Sequence, residues 1–267
     1  MLFELQHART FDFRGTMMLG LATGIALLIG LLLGMLGGGG SVLLVPVLLY
    51  MLKLEPKTAL LTSQLVMAVT TTIAMTVHAL AGRVIWRTGL VFGLAGMLGA
   101  YAGGRVAHYI PARLLLLGFT FLMVVSAIQM LRSRGQKAEL PTKEAGGMQQ
   151  LTGVLVGLPT GFLGGLLGAG GGFLVVPALT IFGGLPIAQA VGTSLLVIAM
   201  QSTAGAAGYL GHAHVDLAVV TSLAVAMGAG SIGGGLLSKR ISAVSLRRFF
   251  AILLLAAAAL MLVRNLW

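Results

Sequence analysis

Two short glycine clusters hold the residue types best suited to chemistry in this chain. The first is Gly37-Gly38-Gly39-Gly40-Ser41, leading into an apolar stretch that ends at Pro46. The second is Gly168-Ala169-Gly170-Gly171-Gly172, leading into a like stretch that ends at Pro177. Such runs stay helical only at a cost, because each interior glycine loses about 1 kcal/mol relative to alanine. Each predicts a break, after which a restarting helix aims free N–H groups and its positive dipole end back into the break. That is a preformed anion site. Glycines that merely let helices touch are the plainer reading, and it is preferred for the isolated pair Gly99 and Gly103. Gly99→Ala, in a packing motif away from the proposed cavity, is accordingly expected to leave anion affinity alone and so to serve as a mild control. For the duplicated clusters, with proline in register, the functional reading is preferred.

Polar side chains downstream suit the same cavity. On a 100° wheel Ser63, Thr70 and His78 share one narrow sector, and Ser194, Gln201 and Tyr209 share the corresponding sector further along. A polar stripe on an apolar span should face the bundle interior. Serine and threonine could simply satisfy their own backbone carbonyls, which suits Gln201 and His78 less well. Thr62 and Thr193 stand beside the two serines. The candidate substrate-binding set is therefore Gly37, Gly38, Gly39, Gly40, Ser41, Thr62, Ser63, Thr70, His78, Gly170, Gly171, Gly172, Thr193, Ser194, Gln201 and Tyr209. Within it Ser194 is expected to donate its hydroxyl to the substrate.

Other chemistries fare worse. His212, His214 and Asp216 have a metal-ligand spacing, but they fall in a membrane-surface loop whose counterpart at 80–85 carries none of these ligands. A solvated loop is preferred, and neither a metal nor a cofactor is expected. A membrane-embedded metal-dependent enzyme using these three residues, with His78, is the rival class. No cysteine is present, which excludes disulfides and thiol catalysis. No P-loop lysine motif occurs, and all six acidic residues lie at or near predicted span ends. A cation pump would want carboxylates in mid-span. The absence tilts the substrate toward an anion and the class toward a transporter that is not an enzyme, with a passive anion channel as the alternative.

The elements that must position these residues are membrane helices. Hydrophobic residues make up 58% of the 267 and charged residues 9%, against about a quarter charged in soluble domains. Apolar runs at 17–36, 60–80, 88–109, 114–131, 151–167, 188–210, 217–237 and 246–263 approach the ~20 residues that span a bilayer as helix. Their many small residues favour helix packing over barrel alternation. The net charge of +11 sits in the short gaps between runs, as headgroup anchors do, so nucleic acid is not an expected partner. The expected partners are a small anion, the lipid bilayer and a second copy in a homodimer.

An offset of 131 residues superimposes one half on the other. Gly30, Gly34, Gly37, Gly39 and Gly40 meet Gly161, Gly165, Gly168, Gly170 and Gly171; Pro46 meets Pro177, and Thr62-Ser63 meets Thr193-Ser194. The expected organisation is an N-terminal segment 1–16, a first transmembrane repeat 17–131, a polar linker 132–150 and a second repeat 151–264. Because the first run recurs in mid-chain, it reads as a retained helix rather than a signal peptide. The short piece 41–52 covers roughly 18 Å as helix, too little to span alone. If it crosses by meeting the preceding helix, each copy has five passes and the halves are inverted; if it dips in and out, they are parallel. Lys/Arg counts of ten on the linker side against seven on the terminal side favour five plus five, with the linker cytoplasmic. The fold expected is an all-α polytopic bundle in the inner (plasma) membrane, with two inverted repeats of about five helical segments and glycine-broken helices meeting near the midplane.

At these residues the chain resembles the sulfite exporter TauE/SafE family of membrane transporters. The segments 34–46 and 168–177, extended by Ala190-Val191-Gly192-Thr193-Ser194-Leu195, carry the likeness, which covers about 17–264. The resemblance implies export of sulfite, sulfoacetate or related organosulfur anions from a site between two repeats. Ser41 stands where the second copy has Gly172, and Leu61-Thr62-Ser63-Gln64 stands near the register of Val191-Gly192-Thr193-Ser194, so the halves need not contribute equally.

Overall fold

The computed structural model describes residues 2–132, 147–168, 170–211, 215–238 and 243–266. Among these, ten helices and one 3₁₀ turn follow in order, with no strand. They are α1 (Leu2–Leu36), the 3₁₀ turn (Gly39–Leu43), α2 (Leu44–Tyr50), α3 (Pro56–Leu80), α4 (Trp86–Ala107), α5 (Ala112–Arg132), α6 (Gly147–Leu166), α7 (Gly172–Ile181), α8 (Ile187–Tyr209), α9 (Leu217–Leu237) and α10 (Ala243–Leu266). The 131-residue offset carries each of the first five helices onto the helix of the same rank in the second five. α1 runs on from Leu2 through the segment 1–16 that the sequence set apart.

Six of the described helices are long and apolar enough to cross a membrane. Large apolar side chains cover their outer faces, among them Leu98 and Val225, each 70% exposed. In water that surface would be a liability, and in lipid it is the solvated face. The starts of the helices follow local chemistry. Pro56 opens α3, where a missing N–H costs nothing, and the Asp216 carboxylate caps α9 by accepting from Ala218 N at 2.8 Å.

Each long helix finds its main partner in the other copy, while the short α2 and α7 pack mainly on α3 and α8 of their own copies. α1 lies along α9, and its counterpart α6 lies along α4; α3 crosses α8; α4 packs on α8 as α9 packs on α3; α5 pairs with α10. Glycine makes these crossings close. A Cβ on Gly30 would run into the Met227 carbonyl oxygen, and one on Gly161 into that of Gly96. Gly34 and Gly165 meet the Ser231 and Ala100 carbonyls in the same way. From the opposite side, Gly99 and Gly103 meet Leu158 and Phe162, as Gly230 and Gly234 meet Leu27 and Leu31. Every one of these contacts recurs at the 131-residue offset. The pair Gly99 and Gly103 is thus a packing device, as expected, but Gly99→Ala is no mild control, because it drives a methyl group into backbone.

Two serines tie the copies together at the breaks. Ser194 Oγ donates to the Gly37 carbonyl at 2.7 Å, and Ser63 Oγ donates to the Gly168 carbonyl. Each hydroxyl also lies within hydrogen-bond distance of a carbonyl on its own helix, Val191 at 2.8 Å and Leu60 at 2.9 Å. Gly37 and Gly168, both at φ 67°, end α1 and α6 in left-handed turns. A Cβ at either would lie 2.7 Å from a Cα of the opposite copy, Val191 or Leu60.

Two measurements test this architecture. Gly161→Ala should destabilise the detergent-solubilised protein by about 1–3 kcal/mol through overpacking, read as a lower midpoint of thermal unfolding. Gly233→Ala, where a Cβ meets nothing within 4 Å, should leave that midpoint unchanged. Ser63→Ala and Ser194→Ala should each lower stability by about 1 kcal/mol, the net worth of a buried hydrogen bond.

Candidate functional site

The second break builds a site from backbone outward. After Gly168, Gly170 and Gly171 take φ values of 61° and 66°, a conformation that a side chain would strain. Gly171 is the N-cap of α7 and supplies no capping side chain. Its carbonyl accepts from Leu174 N at 2.9 Å and Val175 N at 3.0 Å, which starts the helix. The first N–H groups of α7 have no acceptor within their own helix and point back toward the break.

Two side chains from α8 come to the same place. An ideal Cβ on Gly171 would lie 2.9 Å from Gln201 Oε1 and 3.1 Å from the Thr160 carbonyl oxygen of α6. One on Gly170 would run into Ser202 Oγ, and one on Gly96 of α4 into the Gln201 amide. Gln201 and Ser202 are 0% exposed. Gln201 Nε2, Gln201 Oε1 and Ser202 Oγ have no hydrogen-bond partner among the described residues. Leaving such an atom unmet costs about 1–3 kcal/mol. Three of them gathered at one helix start form a set of polar groups suited to an anionic ligand.

The first break is built differently. Gly37 and Gly38 turn left-handed, at φ 67° and 111°, but Gly39–Leu43 then forms a 3₁₀ turn and α2 is only 7 residues long. Ser41 Oγ donates back to the Gly38 carbonyl at 2.7 Å. Thr70, the counterpart of Gln201, is buried with an unpartnered Oγ1, while Thr71, the counterpart of Ser202, bonds Met67 O at 2.6 Å. The breaks touch: a Cβ on Gly172 would lie 2.6 Å from the Gly38 carbonyl oxygen.

The polar stripes face inward throughout, with Ser63, Thr70, His78, Ser194, Gln201 and Tyr209 all buried. They divide by role. His78 Nε2 lies 3.0 Å from the Gly34 carbonyl, which can only accept, so this nitrogen carries the proton. Tyr209 donates to the Leu166 carbonyl at 2.7 Å. Both thereby satisfy orphan carbonyls at the end of a first helix. Thr193 Oγ1 accepts from Ile85 N at 3.0 Å and holds the start of α4, and Thr62 is buried on α3. Ser194, expected to donate to substrate, has its proton committed to backbone. Gln201 and Thr70 are the stripe members that keep every side-chain polar atom unpartnered, while His78 keeps Nδ1.

Ser202 and Gln64 were missed by the sequence reading. Ser202 sits 100° round from the stripe and is flagged only by adjacency to Gln201. Gln64 donates its amide to Gly164 O at 3.0 Å and Gly165 O at 3.3 Å, keeping Oε1 unpartnered. Its counterpart is Leu195, so the repeat gave no signal. Of the residues of the metal alternative, Asp216 caps α9 through Oδ1, and His212 and His214 lie outside the described residues.

Proteins of similar sequence are named as membrane transporters. A Xylella fastidiosa (strain 9a5c) protein named “Probable membrane transporter protein” is 34% identical over 244 residues, covering 89% of this chain and 92% of its own length. The Bacillus subtilis (strain 168) “Probable membrane transporter protein YdhB” is 28% identical over 213 residues, covering 79% and 86%. No solved structure matches significantly. Residues 22–261 match the family described as Sulfite exporter TauE/SafE. With its repeated bundle of apolar helices, the chain belongs to the sulfite exporter TauE/SafE family of membrane transporters.

Proposed function

We propose that this protein carries a small oxyanion outward across the membrane, binding it at the start of α7 among Gly170, Gly171, Gln201 and Ser202. The observation that carries the reading is the pair of fully buried side chains, Gln201 and Ser202, whose polar atoms lack partners where α7 begins. Sulfite, sulfoacetate or a related organosulfonate is the substrate class, drawn from the family to which the chain belongs. Ser194, Ser63, His78 and Tyr209 act one step removed, fixing the backbone that presents the site.

The same site favours a carrier over a channel. Its polar atoms are sealed from solvent, so ligand exchange requires the copies to move against each other, with inverted halves alternating access to the two sides. Two contacts support five passes per copy. Arg83 at the α3–α4 turn bonds Ser238 at the end of α9, 3.3 Å away, and Arg264 near the end of α10 lies 5.1 Å over the Tyr50 ring at the end of α2. Four passes per copy would put the members of each pair on opposite membrane faces, and five put them on the same face.

Flux of sulfite and sulfoacetate in proteoliposomes tests the proposal. Saturable transport with counterflow is expected. Gly171→Leu should abolish it by filling the space beside Gln201. Gln201→Leu should weaken apparent affinity by about tenfold or more, the worth of a desolvated polar group left unmet. Ser194→Ala should change affinity little once its stability loss is allowed for, and Gly233→Ala should match the wild type. No flux and no binding for any anion, or unchanged affinity in Gly171→Leu, would sink the reading.

A further inference from the structure

The buried amide at the site constrains the protonation state of its ligand. Gln201 Nε2, Ser202 Oγ and the first N–H groups of α7 can all donate to an anion. Gln201 Oε1 can only accept, it is buried, and it has no donor. Among the described residues no donor reaches it; Gly96 and Gly171 beside the amide carry no side chain, and the Thr160 carbonyl near Gly171 is a further acceptor. The amide turns Oε1 toward Gly171 and Nε2 toward Gly96, so an anion at the α7 start meets the acceptor end. A fully deprotonated oxyanion would satisfy the donors and set its own lone pairs against Oε1. An oxyanion that keeps one O–H would satisfy both.

We propose that this site selects a hydrogen oxyanion, one that donates its own O–H to Gln201 Oε1 while its charged oxygens take the N–H groups of α7 and the Ser202 hydroxyl. The inference rests on the anion reading above and narrows it: of the two forms of sulfite near neutral pH, bisulfite binds and the dianion does not. Charge and acceptor count then pull in opposite directions, because the α7 dipole alone would favour the dianion. Each bisulfite carried also takes a proton with it. Transport would therefore respond to a pH gradient through the ionisation of the ligand itself; the residues that lie against the Gln201 amide from α4 and the start of α7, Gly96 and Gly171, carry no side chain to titrate.

Binding calorimetry on the intact protein in lipid nanodiscs separates these effects. Sulfite is titrated at a series of pH values spanning its second ionisation, and methanesulfonate, a monoanion with no O–H at any pH, serves as reference. In wild type, the apparent affinity for total sulfite should fall about tenfold per pH unit above that ionisation, following the fraction of competent ligand. Methanesulfonate should bind about tenfold or more weakly than bisulfite, with no pH dependence. In Gln201→Met, bisulfite and methanesulfonate should bind within about threefold of each other, and the fall with pH should flatten or reverse. Sulfite affinity that holds or rises with pH in wild type overturns the proposal, as does a bisulfite preference that survives in Gln201→Met. A methanesulfonate curve that follows the sulfite curve also overturns it, since a protein group such as His78 would then be titrating. If neither anion binds folded wild-type protein at any pH, the anion reading fails first and takes this one with it.

Discussion

Backbone-to-backbone contact between helices of opposite copies is the constraint on which the rest of this structure depends. Lipid gives no hydrophobic drive for helices to associate, so their attraction comes from close van der Waals packing and hydrogen bonds. Eight glycines set on α1, α4, α6 and α9 let each first helix rest on carbonyls of the other copy's fourth helix. A methyl group at any of them would strike a carbonyl oxygen. With those crossings fixed, the ends of α1 and α6 are brought against the α8 and α3 of the opposite half. The helices must break there, and glycine supplies the turn.

Broken helices leave carbonyls and N–H groups that membrane interior cannot solvate. On the carbonyl side the protein answers with its own side chains. Ser63 and Ser194 reach across to the breaks, and His78 and Tyr209 reach back to α1 and α6. These bonds make the four residues structural, although they share the buried stripe with Gln201. On the N–H side of the second break there is no comparable side-chain cap, since Gly171 provides none. The polar groups nearest that helix start, Gln201 and Ser202, remain unpartnered. The two sides of the break differ at that point: carbonyls are satisfied by side chains, and the polar groups at the helix start are left without partners among the described residues.

Much of this was legible in the sequence because the chain states it twice. The 131-residue register matched each helical segment to its counterpart, located both breaks and paired the polar stripes, while which helices pack together came only from the structure. Duplication was silent where the copies differ. Gln64 faces Leu195 across the repeat and drew no notice, yet its amide bonds Gly164 and Gly165. Ser202 lies off the stripe by one residue and joins the site only because the left-handed turn at Gly170 brings backbone to it. Ser194 carries the right chemistry for a substrate donor, but a wheel cannot tell whether a hydroxyl faces a ligand or a carbonyl of another helix. Gly99 was read correctly as packing, while the severity of adding a methyl there depended on Leu158, a residue 59 positions away in sequence.

Divergence between the copies turns a symmetric scaffold into a directed one. A duplicated bundle with identical halves would carry two equivalent helix starts, each able to hold an anion in its own orientation. Here the first break runs into a 3₁₀ turn and a helix of 7 residues, with Ser41 folded back on Gly38. The second opens directly into a helix of 10 residues beneath an amide and a hydroxyl. Thr70 and Thr71 on the first side give way to Gln201 and Ser202 on the second, replacing one unpartnered hydroxyl oxygen with three unpartnered atoms. The copies meet at Gly38 and Gly172, so the first half forms the floor against which the other half's helix begins. Any motion between the halves would therefore change the surroundings of the α7 start.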